Sequence, residues 1–297
     1  MDEKLIVGIG EILWDVFPDG PRFGGAPANF SCSAAELAGH AAHVSIISAV
    51  GRDDRGARAL EALANHNVDS QYVQSKTQET GAVLVELDGS GVPSYRFAEN
   101  TAWDHLTWQA QLADLAPQCD AVCFGTLGQR NETSRQTIQQ FVRNTRADAL
   151  RVLDINLRSP FFDDEVILSS LALANVLKLN EDELPAVTRL SNIGGTGIGP
   201  LQQLADHWHL RCIAVTRGEN GALILSGAKV SQLPGINVAV ANTVGAGDAY
   251  TAGVVLGMLA GRSVEEINQR AVEAATYVCK QAGATTQFPA HLRYDVQ

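Results

Sequence analysis

The sequence has little of what marks redox, metal, membrane or nucleic-acid proteins. Its five cysteines, Cys32, Cys119, Cys123, Cys212 and Cys279, are odd in number, scattered, and form no C-x-x-C pair. That argues against a disulfide framework or a thiolate zinc site and fits a reducing compartment. The seven histidines show no metal-ligand spacing, no H-E-x-x-H occurs, and His207 and His209 are expected near the surface. The most apolar late stretch, Thr251 to Gly261, is far short of the ~20 residues that a bilayer span needs. The chain opens Met1-Asp2-Glu3-Lys4 before a short apolar run to Gly10, unlike a secretory leader. A cytoplasmic protein with no membrane partner is the expectation. Basic residues are also in deficit, 22 Lys+Arg against 33 Asp+Glu, for a formal net charge of -11. Such a surface repels phosphate backbones, so no nucleic-acid partner is expected.

Two nucleotide-binding signatures are missing as well. There is no G-x-x-x-x-G-K-[ST], and Gly8 and Gly10 begin a dinucleotide fingerprint whose third glycine position holds Leu13. A nucleotide such as ATP would therefore have to rely on backbone N–H groups, a few cations and a metal ion.

What is present is an ordinary globular composition over 297 residues, 45% hydrophobic and 19% charged. That is enough for one large α/β domain or two small ones. Short apolar runs at 5–7, 44–47, 121–124, 152–155, 176–179 and 213–215 read as buried strands. Helical patterns at 27–37, 56–64, 133–143 and 200–207 lie between several of them. The alternation predicts a mostly parallel central sheet with helices on both faces, a three-layer α/β/α class. Two stretches break it. Ile12 to Phe23 carries Trp14, Phe17 and a Pro18-Asp19-Gly20 turn. In Thr80 to Asn100, Val83, Val85 and Leu87 alternate, Asp88-Gly89-Ser90-Gly91 turns, and Tyr95 and Phe97 alternate back. Both are expected to be antiparallel strands of a small β-lid, about 12–23 and 80–100, over one edge of the main domain. An exposed lid sheet is also a natural homodimer surface.

The chemistry concentrates in Asn242-Thr243-Val244-Gly245-Ala246-Gly247-Asp248, just before an apolar helix. Small residues at a helix start let backbone N–H groups approach an anion, and the helix dipole adds to the attraction. Asp248 in the first turn can cap the helix or take a proton from an attacking hydroxyl; the residues alone leave both roles open. Gly24 and Gly25 allow close backbone approach, Pro27 suits a helix start, and Asn29 offers donor and acceptor to a sugar hydroxyl or serves as a polar cap. Asp15 follows the first strand as a hydrogen-bond acceptor or a turn carboxylate. Asp154, Asn156 and Arg158 fall at alternate positions and would line one face of an extended strand end. Asn180 and Glu183 lie three apart; Glu183 could hold Mg²⁺ through water or form part of a solvated first turn. Thr216 to Gly221 reads as a β-turn.

In this order, the segments resemble the ribokinase-like (PfkB) carbohydrate kinases nearly end to end. They are Gly24-Gly25…Asn29, Val50 to Gly56, Asn180-x-x-Glu183, Thr216-Arg217-Gly218, Gly245-Ala246-Gly247-Asp248 and Gly283-Ala284. The resemblance implies one kinase domain over 1–297 with Asp248 as catalytic base and the amides of Gly245, Ala246 and Gly247 as anion hole. Asp15, Gly24, Gly25 and Asn29 would hold the sugar. Asn180 would serve the phosphates, and Thr216, Gly218, Gly221, Cys279 and Gly283 would line the ATP site, with Mg²⁺ at Glu183. Gly10 to Asp15, Glu99 to Asp104 and Asp154 to Arg158 look most similar to fructokinases, which adds Asn100, Asn156 and Arg158 to the substrate site. Ribose, a sugar acid such as 2-keto-3-deoxygluconate or a nucleoside are alternative acceptors, and an inactive binding regulator is an alternative role. One departure stands out. The family usually has Asp where this chain has Asn242, so activation by a monovalent cation is expected to be weak or absent.

Overall fold

Alternation along the buried strands divides the apolar side chains between two cores. Ile6, Val44, Val152 and Val176 belong to one cluster, and their neighbours Val7, Ile47, Leu153 and Leu177 belong to another on the opposite face. The computed structural model describes residues 3–87, 93–236 and 238–294. In chain order the elements are β1 (Lys4–Ile9), β2 (Leu13–Phe17), β3 (Gly20–Gly24), α1 (Ala26–Ala38), β4 (Ala42–Gly51), α2 (Asp54–Asn65), β5 (Val73–Lys76), β6 (Gly81–Leu87), β7 (Pro93–Phe97) and α3 (Ala110–Leu115). They continue with β8 (Ala121–Phe124), α4 (Glu132–Asn144), β9 (Leu150–Asp154), α5 (Asp164–Leu173), β10 (Val176–Asn180), α6 (Leu184–Leu190), α7 (Gly199–Trp208), β11 (Cys212–Thr216), β12 (Ala222–Ser226), β13 (Lys229–Leu233), α8 (Ala246–Leu259) and α9 (Val264–Cys279).

A nine-stranded sheet runs β13-β12-β11-β10-β9-β8-β1-β4-β5. Its strands pair in parallel from β5 to β11, and β12 and β13 add an antiparallel edge. Helices α1, α2, α8 and α9 cover one face and α4, α5, α6 and α7 the other. Asn131, Asp163 and Ser263 each accept a backbone N–H at the start of α4, α5 and α9, caps worth ~1 kcal/mol apiece. Helix α8 is buried without a break from Ala249 to Gly257, as its all-round apolar sequence requires.

The four-stranded second sheet runs β3-β2-β6-β7. It departs from the expected all-antiparallel lid, because β2 and β6 pair in parallel, Leu13 opposite Gly81. These strands belong to separate chain segments with α1, α2 and three strands between them, so no tight turn forces them antiparallel. The Asp88–Gly91 turn lies outside the described residues. The lid is rooted in the main domain at two points. Asp53 accepts the Thr80 N–H at 2.8 Å and its hydroxyl at 2.7 Å, and the Trp14 indole donates to the Arg55 carbonyl at 3.0 Å. Among the described residues no helix is long and apolar enough to cross a membrane.

Candidate active site

Because β1, β9, β10 and β11 are parallel, their carboxyl ends lie along one edge of the sheet, where ligands of open α/β sheets bind. The start of α8 comes to this edge. Its N-cap, Gly245, has φ 83°, and a Cβ there would stand 2.5 Å from the Ala284 carbonyl oxygen. Only glycine meets both constraints without strain. The turn leaves first-turn N–H groups of α8 without helical acceptors, the condition for holding an anion, although the Ala246 N–H donates to the Thr243 carbonyl at 3.2 Å. Asp248 sits in that first turn and does not cap the helix through its side chain.

Asp248 instead meets Asn29 across the domain. Asn29 Nδ2 donates to Asp248 Oδ2 at 2.9 Å, joining the first turns of α1 and α8 over 219 residues of sequence. Asn29 Oδ1 is buried with no protein partner, so an acceptor stays free beside the carboxylate. Gly25, with φ 104°, starts α1, and a Cβ there would lie 2.5 Å from the Glu11 carbonyl oxygen, so the α1 turn is held close against the end of β1. Gly24 lies against Asp15, whose carboxyl oxygen would be 2.7 Å from a Cβ. Burial raises the Asp15 pKa to about 6 despite the opposing charges of Arg158 and Arg22. Asp248 is pushed to about 7, first by burial, then by the Asp154 charge; Lys178, Asn29 and Arg158 pull it back.

The expected row of Asp154, Asn156 and Arg158 does not form. Strand β9 ends at Asp154 and Asn156 turns left-handed with φ 40°, so strict alternation is lost. Asp154 is buried, accepts Lys178 Nζ at 3.0 Å on one oxygen and the Thr251 hydroxyl at 2.8 Å on the other. Arg158 is exposed, and its charge bears on Glu11, Asp15 and Asp248. Asn100 is exposed at φ 52°, bonded to His105 at 2.6 Å. It shares an open groove of about 370 Å³ with Asp104, Arg130 and Phe161.

Asn180 and Glu183 interlock. Asn180 Oδ1 accepts the Glu183 N–H at 2.9 Å, and Glu183 Oε2 accepts the Asn180 N–H at 2.8 Å. Glu183 Oε1 takes the Leu157 N–H at 2.8 Å, so this carboxylate ties the ends of β9 and β10 together. It retains lone pairs for a water, and no cluster of three or more acidic, His or Cys side chains suited to a metal exists among the described residues. Thr216 ends β11, Gly218 to Asn220 form a short 3₁₀ turn, and Gly221 begins the return with φ 89°. The Cys279 carbonyl accepts the N–H groups of Ala241 and Asn242, closing the 241–245 loop onto the end of α9, and Gly283 precedes the Ala284 that packs on Gly245. Asn242 Oδ1 accepts the Val244 N–H at 3.0 Å, a bond internal to the turn.

Two residues went unassigned in the sequence. Glu11, 2% exposed, follows β1 and accepts the Ala26 N–H at 3.2 Å, while its other oxygen has no partner. Burial raises it to about 7. Lys178, 7% exposed, lies within β10 directly below Gly247, where a Cβ would stand 2.9 Å from Nζ. A lysine inside an otherwise apolar buried strand is the signal that would have found it.

A sequence model of the pfkB family carbohydrate kinases matches residues 20–291. A fructokinase of Klebsiella pneumoniae is 30% identical over 273 residues, covering 88% of this chain and 86% of its own. The crystal structure of a sugar kinase of Pyrococcus horikoshii in complex with ATP superposes with TM-score 0.78 at 26% identity, over 94% of this chain and 93% of that one. The aminoimidazole riboside kinase of Salmonella enterica shares the fold with TM-score 0.79 at 22% identity, over 97% of this chain and 98% of its own.

Proposed function

The chain belongs to the PfkB family of carbohydrate kinases, and from that premise we propose that it moves the γ-phosphoryl group of ATP onto a hydroxyl of a small sugar, fructose first among candidates. The observation that carries this reading is Asp248. It stands in the first turn of α8 behind a left-handed glycine and is bonded to an asparagine on the opposite helix start.

The roles are those the family resemblance implies, set on this geometry. Asp15, Gly24, Gly25 and Asn29 would border the sugar, and Arg158, Asn156 and Asn100 would contribute to its binding. As the sugar oxygen attacks, its proton passes to an Asp248 oxygen, the new O–P bond forms, and the bond from the γ-phosphorus to the bridging oxygen breaks. ADP then carries the electron pair away. Amides of Gly245, Ala246 and Gly247 would face the charge that builds on the moving group, the Ala246 N–H turning from the Thr243 carbonyl that it meets here. Asn180, Thr216, Gly218, Gly221, Cys279 and Gly283 would border the nucleotide. Magnesium, held through water by Glu183, would neutralise phosphate charge. Residues 1–297 act as one kinase domain, with the second sheet as cover and as a surface on which two copies could pair.

The test is ADP release across a panel of fructose, ribose, 2-keto-3-deoxygluconate and nucleosides. Turnover with fructose supports the full reading. Turnover with another acceptor keeps the kinase and replaces the sugar. Binding of ATP and sugar without any turnover points to a regulator and overturns it.

A further inference from the structure

Three charged or polar side chains beneath the glycine turn form a connected set that the roles above do not use. Lys178 Nζ bonds Asp154 Oδ1 at 3.0 Å, and Asp154 Oδ2 accepts from Thr251 Oγ1 at 2.8 Å. The same hydroxyl contacts the Gly247 carbonyl at 2.9 Å. Lys178 and Asp154 are 7% and 5% exposed, and Nζ abuts the underside of Gly247. The pair thus reaches the anion-holding turn from below by two routes, Lys178 Nζ pressed against Gly247 and the Thr251 hydroxyl, whose single hydrogen is shared between Asp154 Oδ2 and the Gly247 carbonyl. Burying two charges costs several kcal/mol per ion before their attraction is counted, so a pair with only a structural task is readily replaced by apolar residues. This one lies under the residue that must be a carboxylate for the reaction to start.

We propose that the Lys178–Asp154 pair is the positioning device of the transfer site: Lys178 supports the Gly245–Gly247 turn and sets a positive charge beneath it next to Asp248, and Asp154 counterbalances that charge. The proposal rests on Asp248 acting as the base. The other groups facing Asp248 are Arg158 after β9, Asn29 on α1, Glu11 after β1 and the Cys123 thiol on β8. Arg158 and Asn29 favour the ionised form. Glu11 and Asp248 raise each other where both are charged, and burial keeps the Cys123 thiol protonated. Only Lys178 and Asp154 oppose one another within direct bonding distance, and their effects on Asp248 have opposite sign: the lysine lowers its proton affinity and the aspartate raises it. Lys178 itself stays protonated, because Asp154, Asp248 and Glu183 outweigh its burial.

The opposite signs give the test. The acid limb of kcat/KM against pH is measured for the wild type, Lys178→Met, Asp154→Asn and the double variant, with folding checked by circular dichroism and ADP binding. Lys178→Met is expected to move the limb up by about one pH unit and Asp154→Asn to move it down by a similar amount, the double variant returning toward the wild type. A purely structural pair would lower the rate at every pH and leave the limb in place. Unmoved limbs, or limbs that move in the same direction, overturn the inference. If Lys178→Met does not fold, Asp154→Asn decides alone: a downward limb supports the inference, and an unmoved or upward limb refutes it. Retained turnover in Asp248→Asn would sink the base assignment and this inference with it. Loss of turnover there with unmoved limbs here would sink the inference alone.

Discussion

Replacing Gly245 by alanine tests the anion turn at its tightest point. The backbone there is left-handed at φ 83°, which costs an alanine roughly 1–2 kcal/mol. The new methyl would also stand 2.5 Å from the Ala284 carbonyl oxygen and 2.8 Å from the Ala284 Cα and Cβ. Those are backbone atoms and a short side chain, so the 245 turn or the 283–285 loop must shift by several tenths of an ångström. For a chain of this size about 1 kcal/mol moves Tm by only about 2–4 °C, so the fold should survive with a drop of a few degrees. Catalysis should suffer far more, because displacing one anion-hole donor costs about 10²–10³ in kcat. Steady-state kinetics with ATP and the preferred sugar, alongside a thermal melt, give both numbers. A kcat within threefold of the wild type would refute the claim that this turn holds the developing charge.

Other consequences follow from individual contacts. Glu11 titrates at about 7 in the folded chain against 4.5 for a free side chain, so the native state binds the extra proton. Its stabilisation is present below pH ~4.5 and fades as pH rises through about 7. Glu11→Gln should therefore flatten the decline of Tm between pH 6 and 8, on the order of 1–3 kcal/mol recovered at pH 8; an unchanged slope would contradict this. Arg130 donates to both oxygens of Asp104 at 2.8 and 2.7 Å and stacks over Trp103 at 4.0 Å. Arg130→Ala should cost about 3–5 kcal/mol by stranding Asp104, read as a large fall in Tm or in denaturant midpoint. Potassium should change the rate little at fixed ionic strength, since Asn242 brings no carboxylate charge; a large dependence would overturn that reading.

The main sheet was legible because its strands are buried on both faces and read as continuous apolar runs. Strands β5 and β13 escaped notice, being short and polar edge strands such as Val73–Lys76 and Lys229–Leu233. The parallel pairing of β2 with β6 could not be read, because no local signal encodes a contact between segments this far apart. At the site, Gly245 to Asp248 announced itself by composition. The Asn29–Asp248 bond did not, since it depends on how α1 and α8 pack. Asp154 was found for its spacing, but the left-handed turn at Asn156 undid the alignment that spacing implied, and its partners Lys178 and Thr251 emerged only in three dimensions.

The central claim is that Asp248 takes the proton from the acceptor hydroxyl. Asp248→Asn keeps the shape and the hydrogen-bonding capacity toward Asn29 while removing the base. The most direct measurement is single-turnover ADP formation by this variant at saturating sugar, with ATP affinity measured in parallel by calorimetry. Loss of at least about 10³ in rate at near-native ATP affinity is predicted, within the range expected for removing a general base. A variant that binds ATP and still turns over within about tenfold of the wild type would contradict it.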